Sequence, residues 1–117
     1  MSKINIEVKL EENKKEKQNI KTMGILLNNK IKYKSDDAIN ILDIEELLLT
    51  RKTKEYKIIL DFKNNNIKYK YNNSELILDI KTKIKREHQE LIIEYKILDT
   101  NDNYKYRIIW RQIWKKK

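Results

Sequence analysis

The stretch that decides the fold is residues 74–99, SELILDIKTKIKREHQELIIEYKILD. Apolar side chains alternate with charged ones through its first half and again through its last third. A polar break around residues 85–90 separates the two alternating runs. A period of two is typical of strands with one buried face. Two such strands joined by a short polar segment predict an antiparallel hairpin.

The same alternation continues through most of the chain. Further runs cover residues 3–10, 19–27, 30–34, 54–62, 66–71 and 104–114. The charged residues 11–17 are predicted to be a connection between the first two runs. Gly24 lies inside the second run, where a glycine indicates a bulge or the close approach of another backbone, unless it is tolerated by chance. Asparagines separate most runs, because Asn tolerates the left-handed conformations that turns require.

Residues 38–52 are compatible with two structures. Ile39 and Ile41 alternate, and so do Leu47 and Leu49, which predicts a second hairpin. A helix capped by Ser35 or Asp36 would fit the same residues. Its apolar face would be interrupted by a glutamate, and we therefore favour strands for this region.

The whole pattern predicts an all-β protein with nine or ten antiparallel strands in one domain, residues 1–117, of which 115–117 form a basic tail. Strands that follow one another with short turns favour an up-and-down meander. Closing the meander into a barrel removes exposed sheet edges. We expect a single antiparallel, mostly up-and-down β-barrel with about eight strands in the wall. Such an interior is either filled by side chains or holds one small ligand.

The composition limits the classes of partner. The formal net charge of +9 would favour nucleic acid. The chain contains 23 Lys, 20 Ile and 13 Asn but only 4 Arg. Because Lys, Ile and Asn share AT-rich codons, we attribute part of this charge to nucleotide bias and discount nucleic acid as a partner. No apolar run approaches the roughly 18 residues of a membrane helix, so no membrane partner is expected. Without cysteines or a leader-like start, the sequence predicts a soluble cytoplasmic protein.

Several short segments stand in a characteristic order: Lys21-Thr-Met-Gly24, Lys30-Ile-Lys-Tyr33, Leu48-Leu-Thr-Arg51-Lys52, Asp61-Phe62, Leu78-Asp-Ile-Lys-Thr82 and Leu91-Ile-Ile-Glu-Tyr95. With this order the chain resembles the YwiB-like family of small bacterial proteins over roughly residues 3–113. The resemblance implies a calycin-type barrel, similar to the lipocalins. It implies no particular activity.

Catalytic chemistry has little support in the sequence. There is one histidine, His88, and no cysteine, so a typical transition-metal site or a His-based triad lacks its usual residues. His88 lies in the polar break of the main hairpin, where an exposed turn residue is expected. Gly24 is the only glycine, which excludes a glycine-rich phosphate loop. We therefore predict no enzyme, no cofactor and no metal.

Candidate binding residues come from the phase of the alternation. Arg51 follows Leu47 and Leu49 in phase and is predicted either to enter the interior or to reach the rim at a strand end. An interior Arg51 would need a carboxylate or a ligand anion. Tyrosines in phase with apolar residues can line a pocket or fill a core. The predicted ligand-binding set is Tyr33, Arg51, Tyr69, Tyr71, Tyr95 and Trp110. Tyr56 and Tyr106 share the phase of that set.

Three hypotheses of function follow from these features. The first is a barrel that binds a small apolar or amphipathic ligand, with the tyrosines as walls and Arg51 as an anchor. The second is a barrel that contacts nucleic acid through residues 68–71 and the basic and aromatic end of the chain, residues 110–117. The third is a structural module that forms homo-oligomers through the segment from Trp110 to Trp114. Whether the interior is packed or hollow decides between the first hypothesis and the third.

Overall fold

The structure, a computed structural model, describes residues 1–113. Trp114 and the predicted basic tail, residues 115–117, lie outside the described residues. Ten strands follow one another in chain order: β1 Ser2–Glu12, β2 Lys15–Leu27, β3 Lys30–Ser35, β4 Ala38–Asp43, β5 Leu48–Lys52, β6 Tyr56–Asp61, β7 Asn66–Tyr71, β8 Ser74–Glu87, β9 Glu90–Ile97 and β10 Asn103–Gln112.

The strands form one closed antiparallel barrel in which each strand pairs with its neighbours in sequence and β1 pairs with β10. The all-β class and the up-and-down barrel are therefore confirmed. The expected number of about eight wall strands is too low, because all ten strands lie in the wall. The expected total of nine or ten strands is confirmed, and residues 38–52 form two of them, β4 and β5, as favoured over a helix. Ten strands enclose a wider interior than eight.

The opening stretch, residues 74–99, forms the predicted hairpin of β8 and β9. Residues 80–87 of β8 pair with β9 across a tight turn that contains His88 and Gln89. Residues 74–79 of β8 pair instead with β7. One long strand thus joins two parts of the wall, and the offset between its two partners is the stagger that a closed barrel needs.

The first hairpin differs from its prediction. Residues 11–17 were expected to be a charged connection, but β1 and β2 continue into them and leave a turn of only two residues, Asn13 and Lys14. Both have positive φ, 51° and 69°, as the two central residues of a type I′ hairpin turn do. Leu10 pairs with Gln18 and Glu11 with Glu16, so Lys17 of β2 is left without a partner and forms a bulge close to this turn. The charged residues are therefore compatible with strands because these strands lie near the open end of the barrel.

The asparagines act as the turn residues that the sequence predicted. Asn28, Asn65, Asn72 and Asn101 have φ values of 55°, 57°, 53° and 62°, all in the left-handed region. Asparagine enters this region at lower cost than most residues because its side chain bonds to the local backbone. These four turns therefore form without glycine, and the only glycine of the sequence, Gly24, lies within a strand.

Gly24 lies where three strands meet. It pairs with Ile4 on β1 and with Tyr33 on β3. A Cβ atom at Gly24 would lie 2.6 Å from the carbonyl oxygen of Lys32 and would collide with the Cδ1 atom of Ile6. The predicted close approach of a neighbouring backbone is confirmed, and the bulge lies elsewhere on β2.

Replacing Gly24 by alanine is expected to destabilise the protein by about 1–3 kcal/mol, the usual effect of overpacking. The added methyl group meets a backbone carbonyl, which cannot move without disturbing the β2–β3 pairing. Chemical denaturation followed by far-UV circular dichroism measures the change. Thr22→Ala, two residues earlier on β2, is the matched control. An unchanged denaturation midpoint for Gly24→Ala would contradict the packing argument.

One end of the barrel is closely packed. Strands β1, β9 and β10 carry a run of fully buried side chains: Ile4, Val8, Leu91, Ile93 and Ile108. Trp110 joins them and is 7% exposed. Burial of these side chains supplies the main stabilisation of the fold. Ile31 of β3 and Leu42 of β4 are fully buried as well.

Candidate functional site

The register of β2 to β8 arranges the interior side chains in two rows across the wall. The lower row is wholly aliphatic: Leu26, Ile31, Leu42, Leu49, Leu60, Ile67 and Leu78. The upper row, one pleat nearer the turns at 36–37 and 72–73, contains Gly24, Tyr33, Asn40, Arg51, Ile58, Tyr69 and Leu76. Polar groups are therefore confined to the upper level and lie over an apolar floor.

A cavity of about 500 Å³ lies between these two rows and the inner faces of β1, β9 and β10. This volume falls in the range of about 300–1,000 Å³ that small-molecule sites occupy. The lining includes aliphatic residues of both rows and six tyrosine and phenylalanine side chains: Tyr33, Phe62, Tyr69, Tyr95, Tyr104 and Tyr106. Two residues of the lining, Lys17 and Leu76, are exposed and mark the side on which the cavity opens.

Four of the six predicted ligand-binding residues line this cavity. Tyr33, Arg51, Tyr69 and Tyr95 come together there. Tyr71 is 46% exposed at the end of β7, where the strand rises past the cavity. Trp110 is buried in the packed end of the barrel and does not line the cavity. Alternation gives the face on which a side chain lies, but not its height along the barrel axis, and these two residues differ in height.

Arg51 is half-buried and points to the interior. Its Nε donates to the hydroxyl of Tyr56 at 3.3 Å, and its Nη1 donates to Ser35 Oγ at 2.9 Å. Nη1 also lies 3.5 Å from Asn40 Oδ1. All three partners are neutral, and no carboxylate within residues 1–113 forms an ion pair with Arg51. Lys17, the other cation of the lining, pairs with Glu12, so Arg51 brings to the cavity a positive charge that no ion pair among residues 1–113 neutralises.

Two tyrosine hydroxyls meet inside the barrel. Tyr33 of β3 and Tyr106 of β10 lie on strands separated by β1 and β2 in the wall, and their hydroxyl oxygens lie 2.9 Å apart. Burial raises the pKa of Tyr33, while its hydrogen bond to Tyr106 and the charge of Arg51 oppose the increase. Burial also raises the pKa of Tyr106 well above its usual value. Both hydroxyls therefore keep their protons at neutral pH.

A second aromatic pair lines the cavity beside the first hairpin. The rings of Tyr95 and Tyr104 stack with centroids 5.0 Å apart. The Tyr104 hydroxyl donates to Glu12 Oε2 at 2.8 Å. Burial, with the bond to Glu12, raises the pKa of Tyr104 to about 12, and burial raises that of Tyr95 as well. Glu12 thus holds the Tyr104 ring over the cavity.

Sequence reasoning missed three polar contributors to the site. Asn40 is 3% exposed, and its Nδ2 donates to Ser35 Oγ at 2.8 Å. Its position in phase with Ala38 and Leu42 was the available signal, since a polar residue in an apolar phase is unusual. Tyr104 and Tyr106 were also in phase, but nothing in the sequence distinguished them from core residues. Their roles depend on contacts with other strands: Tyr104 bonds to Glu12, its paired neighbour on β1, and Tyr106 bonds to Tyr33 of β3.

A larger groove, about 590 Å³, lies on the outer surface of β8, β9 and β10. Its lining is mostly charged and includes Lys81, Lys83, Lys96 and Lys105. We take the interior cavity as the candidate site because its walls are apolar and its polar groups converge, whereas this groove is an open charged surface. On β7, Lys68 and Lys70 point outward and Tyr69 points inward, so lysine and tyrosine do not share one surface there.

Within residues 1–113, no three His, Cys, Asp or Glu side chains lie close enough together to hold a metal ion. His88 is exposed in the β8–β9 turn. In the same part of the chain, no helix has the length and apolarity needed to cross a membrane.

Comparison of the chain with protein-family models, curated proteins and solved structures finds no match. The resemblance to the YwiB-like family, and with it the calycin or lipocalin relationship, therefore stays a prediction. We therefore infer the function from the geometry of the barrel.

Proposed function

We propose that this protein is a small-molecule carrier or sensor that binds an apolar or amphipathic ligand inside the barrel. The observation that carries the proposal is the cavity of about 500 Å³ with an aliphatic floor and aromatic walls. Pockets of this size and composition with a few convergent polar groups are the usual sites of small ligands. Arg51 acts as the anchor that orients the ligand, and no chemical step is part of the proposal.

The arrangement of rows supports an amphipathic ligand over a purely apolar one. An apolar ligand would leave the guanidinium of Arg51 in a water-depleted cavity without a counter-charge, which is unfavourable. An amphipathic ligand places its apolar body on the lower row and its polar head at the level of Arg51 and Asn40. This orientation follows the separation of polar and apolar side chains along the barrel axis.

Binding of a neutral fluorescent probe tests the proposal. N-phenyl-1-naphthylamine is expected to bind the protein with a fluorescence increase, because its rings fit an apolar cavity. Ile58→Trp, which adds bulk inside the cavity, is expected to abolish the increase. Ile59→Trp changes the neighbouring residue of β6, which faces outward, and is expected to leave it intact. Equal probe binding by both variants would place the probe elsewhere and refute the proposal.

A cytoplasmic location, self-association and contact with nucleic acid remain predictions from the sequence. All three are compatible with a ligand-binding barrel. None of them is required for the proposal. The YwiB-like and calycin relationship would fit a binding role, since a hollow barrel suits a ligand in its interior.

A further inference from the structure

The guanidinium of Arg51 has donors that the protein does not use. A guanidinium carries five N–H groups in a fixed plane. Its hydrogen bonds to Tyr56, Ser35 and Asn40 involve only Nε and Nη1. The two hydrogens of Nη2 find no acceptor within residues 1–113, on a side chain that lines the cavity. A ligand in the cavity can accept from them.

In the buried Tyr33–Tyr106 pair, one hydroxyl hydrogen lacks an acceptor among the described residues. Tyr33 and Tyr106 bring two O–H groups to one contact, and one hydroxyl donates to the other. The hydroxyl that accepts still carries its own hydrogen, and neither hydroxyl has another hydrogen-bond partner in the described part of the chain. Because a buried donor without an acceptor is unfavourable, this hydrogen calls for an acceptor in the cavity.

These donors belong to the same level of the barrel. Tyr33 and Arg51 are in the upper row and are separated by Asn40 alone. Both side chains line the cavity, and the charge of Arg51 acts on the Tyr33 hydroxyl. A positive charge and a neutral donor without acceptors therefore border one polar region. Among the described residues, no acidic side chain lines the cavity to compete for them.

We propose that the ligand carries an anionic oxygen head group, such as a carboxylate or a phosphate monoester, which accepts hydrogen bonds from Arg51 and from the Tyr33–Tyr106 pair. The inference rests on the proposed function and specifies its ligand. Arg51 supplies the charge. The tyrosine pair supplies a donor of adjustable direction, because either hydroxyl can be the one that donates outward. The apolar body of the ligand lies on the aliphatic lower row.

Competition between ten-carbon ligands tests the head group. Decanoate, decyl phosphate and decanol, all below their micellar concentrations, displace N-phenyl-1-naphthylamine from the wild-type protein. At least one of the two anions is expected to bind ten times more tightly than decanol or better, and their order shows whether the site prefers a carboxylate or a phosphate. Equal affinity of all three would overturn the anionic head group and leave the proposed function standing. Displacement by none of the three while the probe stays bound would also overturn the anionic head group, and a protein that binds neither the probe nor any of the three would refute both proposals.

The tyrosine pair has a distinctive pattern of variants. Tyr33→Phe and Tyr106→Phe each leave one hydroxyl whose hydrogen is free, so each is expected to reduce affinity for the preferred anion less than threefold. The double variant removes both hydroxyls and is expected to reduce it at least tenfold. Tyr71→Phe, outside the cavity, is the control, and thermal melts verify that each variant folds. Single effects that simply multiply to the double effect would contradict the shared hydrogen. Unchanged binding by the double variant would remove the pair from the site.

Discussion

Replacing Arg51 by methionine is expected to lower the affinity of the protein for the preferred anion, decanoate or decyl phosphate, by roughly 10- to 150-fold. This corresponds to the loss of about 1.5–3 kcal/mol, the usual contribution of a hydrogen bond to a charged group. Methionine keeps much of the length and volume of the arginine stem, so the cavity keeps its shape. Affinity for decanol is expected to change less than threefold. Probe displacement gives both affinities from one protein sample.

The same substitution is expected to leave the stability of the protein unchanged or to raise it. Arg51 is half-buried and has no ion pair among the described residues, so its partly desolvated charge is compensated only by hydrogen bonds to the neutral side chains of Ser35, Asn40 and Tyr56. Replacing such a charge by an apolar side chain of similar size is often neutral or stabilising. A variant that is at least as stable and yet loses the anion would identify Arg51 as a residue kept for binding at some expense of stability.

Lys52→Met provides the matched control for this prediction. Lys52 is the next residue of β5, carries the same charge and is exposed on the outer face. The overall charge of the two variants is identical, so a nonspecific electrostatic effect would appear in both. An equal loss of anion affinity in both variants, or an equal loss of decanol affinity in Arg51→Met, would contradict the anchoring role of Arg51.

The fold could be predicted from the sequence because its main determinant is local. Alternation with a period of two is visible in β1, β3, β7 and both strands of the opening hairpin, and asparagine turns mark the ends of β2, β6, β7 and β9. The errors concern features that alternation does not encode. Residues 11–17 read as a connection because their side chains are charged, yet near the open end of a barrel charged side chains on a strand remain solvated. The number of wall strands depends on closure, which no single strand specifies.

The candidate site could be predicted only in part, for a related reason. The phase of Arg51 and Tyr33 placed both on the inner face, and both line the cavity. Whether Arg51 would meet a carboxylate could not be deduced, because its partners come from β3, β4 and β6 through the barrel register. The hydroxyl pair of Tyr33 and Tyr106 joins residues 73 positions apart. The stagger of the strands around the barrel also decides that Tyr71 lies above the cavity and Trp110 away from it.

Replacing Trp110 by alanine is expected to destabilise the protein by about 3–5 kcal/mol, the usual result of removing a large buried aromatic side chain. Trp110 pairs with Ile6 of β1, and its backbone N–H donates to the carbonyl of Gln89 at 3.1 Å. It thereby packs one end of the barrel where three strands meet. A domain of this size has a total stability of about 5–15 kcal/mol, so the variant approaches the limit of folding. Urea denaturation followed by circular dichroism measures the loss.

Tyr71→Ala separates this structural role from a role in binding. Tyr71 and Trp110 were predicted from the same phase argument, but Tyr71 is exposed, and its removal is expected to change stability by no more than about 0.5 kcal/mol. Trp110→Phe keeps most of the apolar volume and is expected to retain both the fold and the affinity for N-phenyl-1-naphthylamine. If Trp110→Phe remained stable but lost the probe, Trp110 would belong to the binding site and the cavity would extend into the packed end of the barrel. If it retained the probe, the ligand would contact only the side of the barrel that holds Arg51.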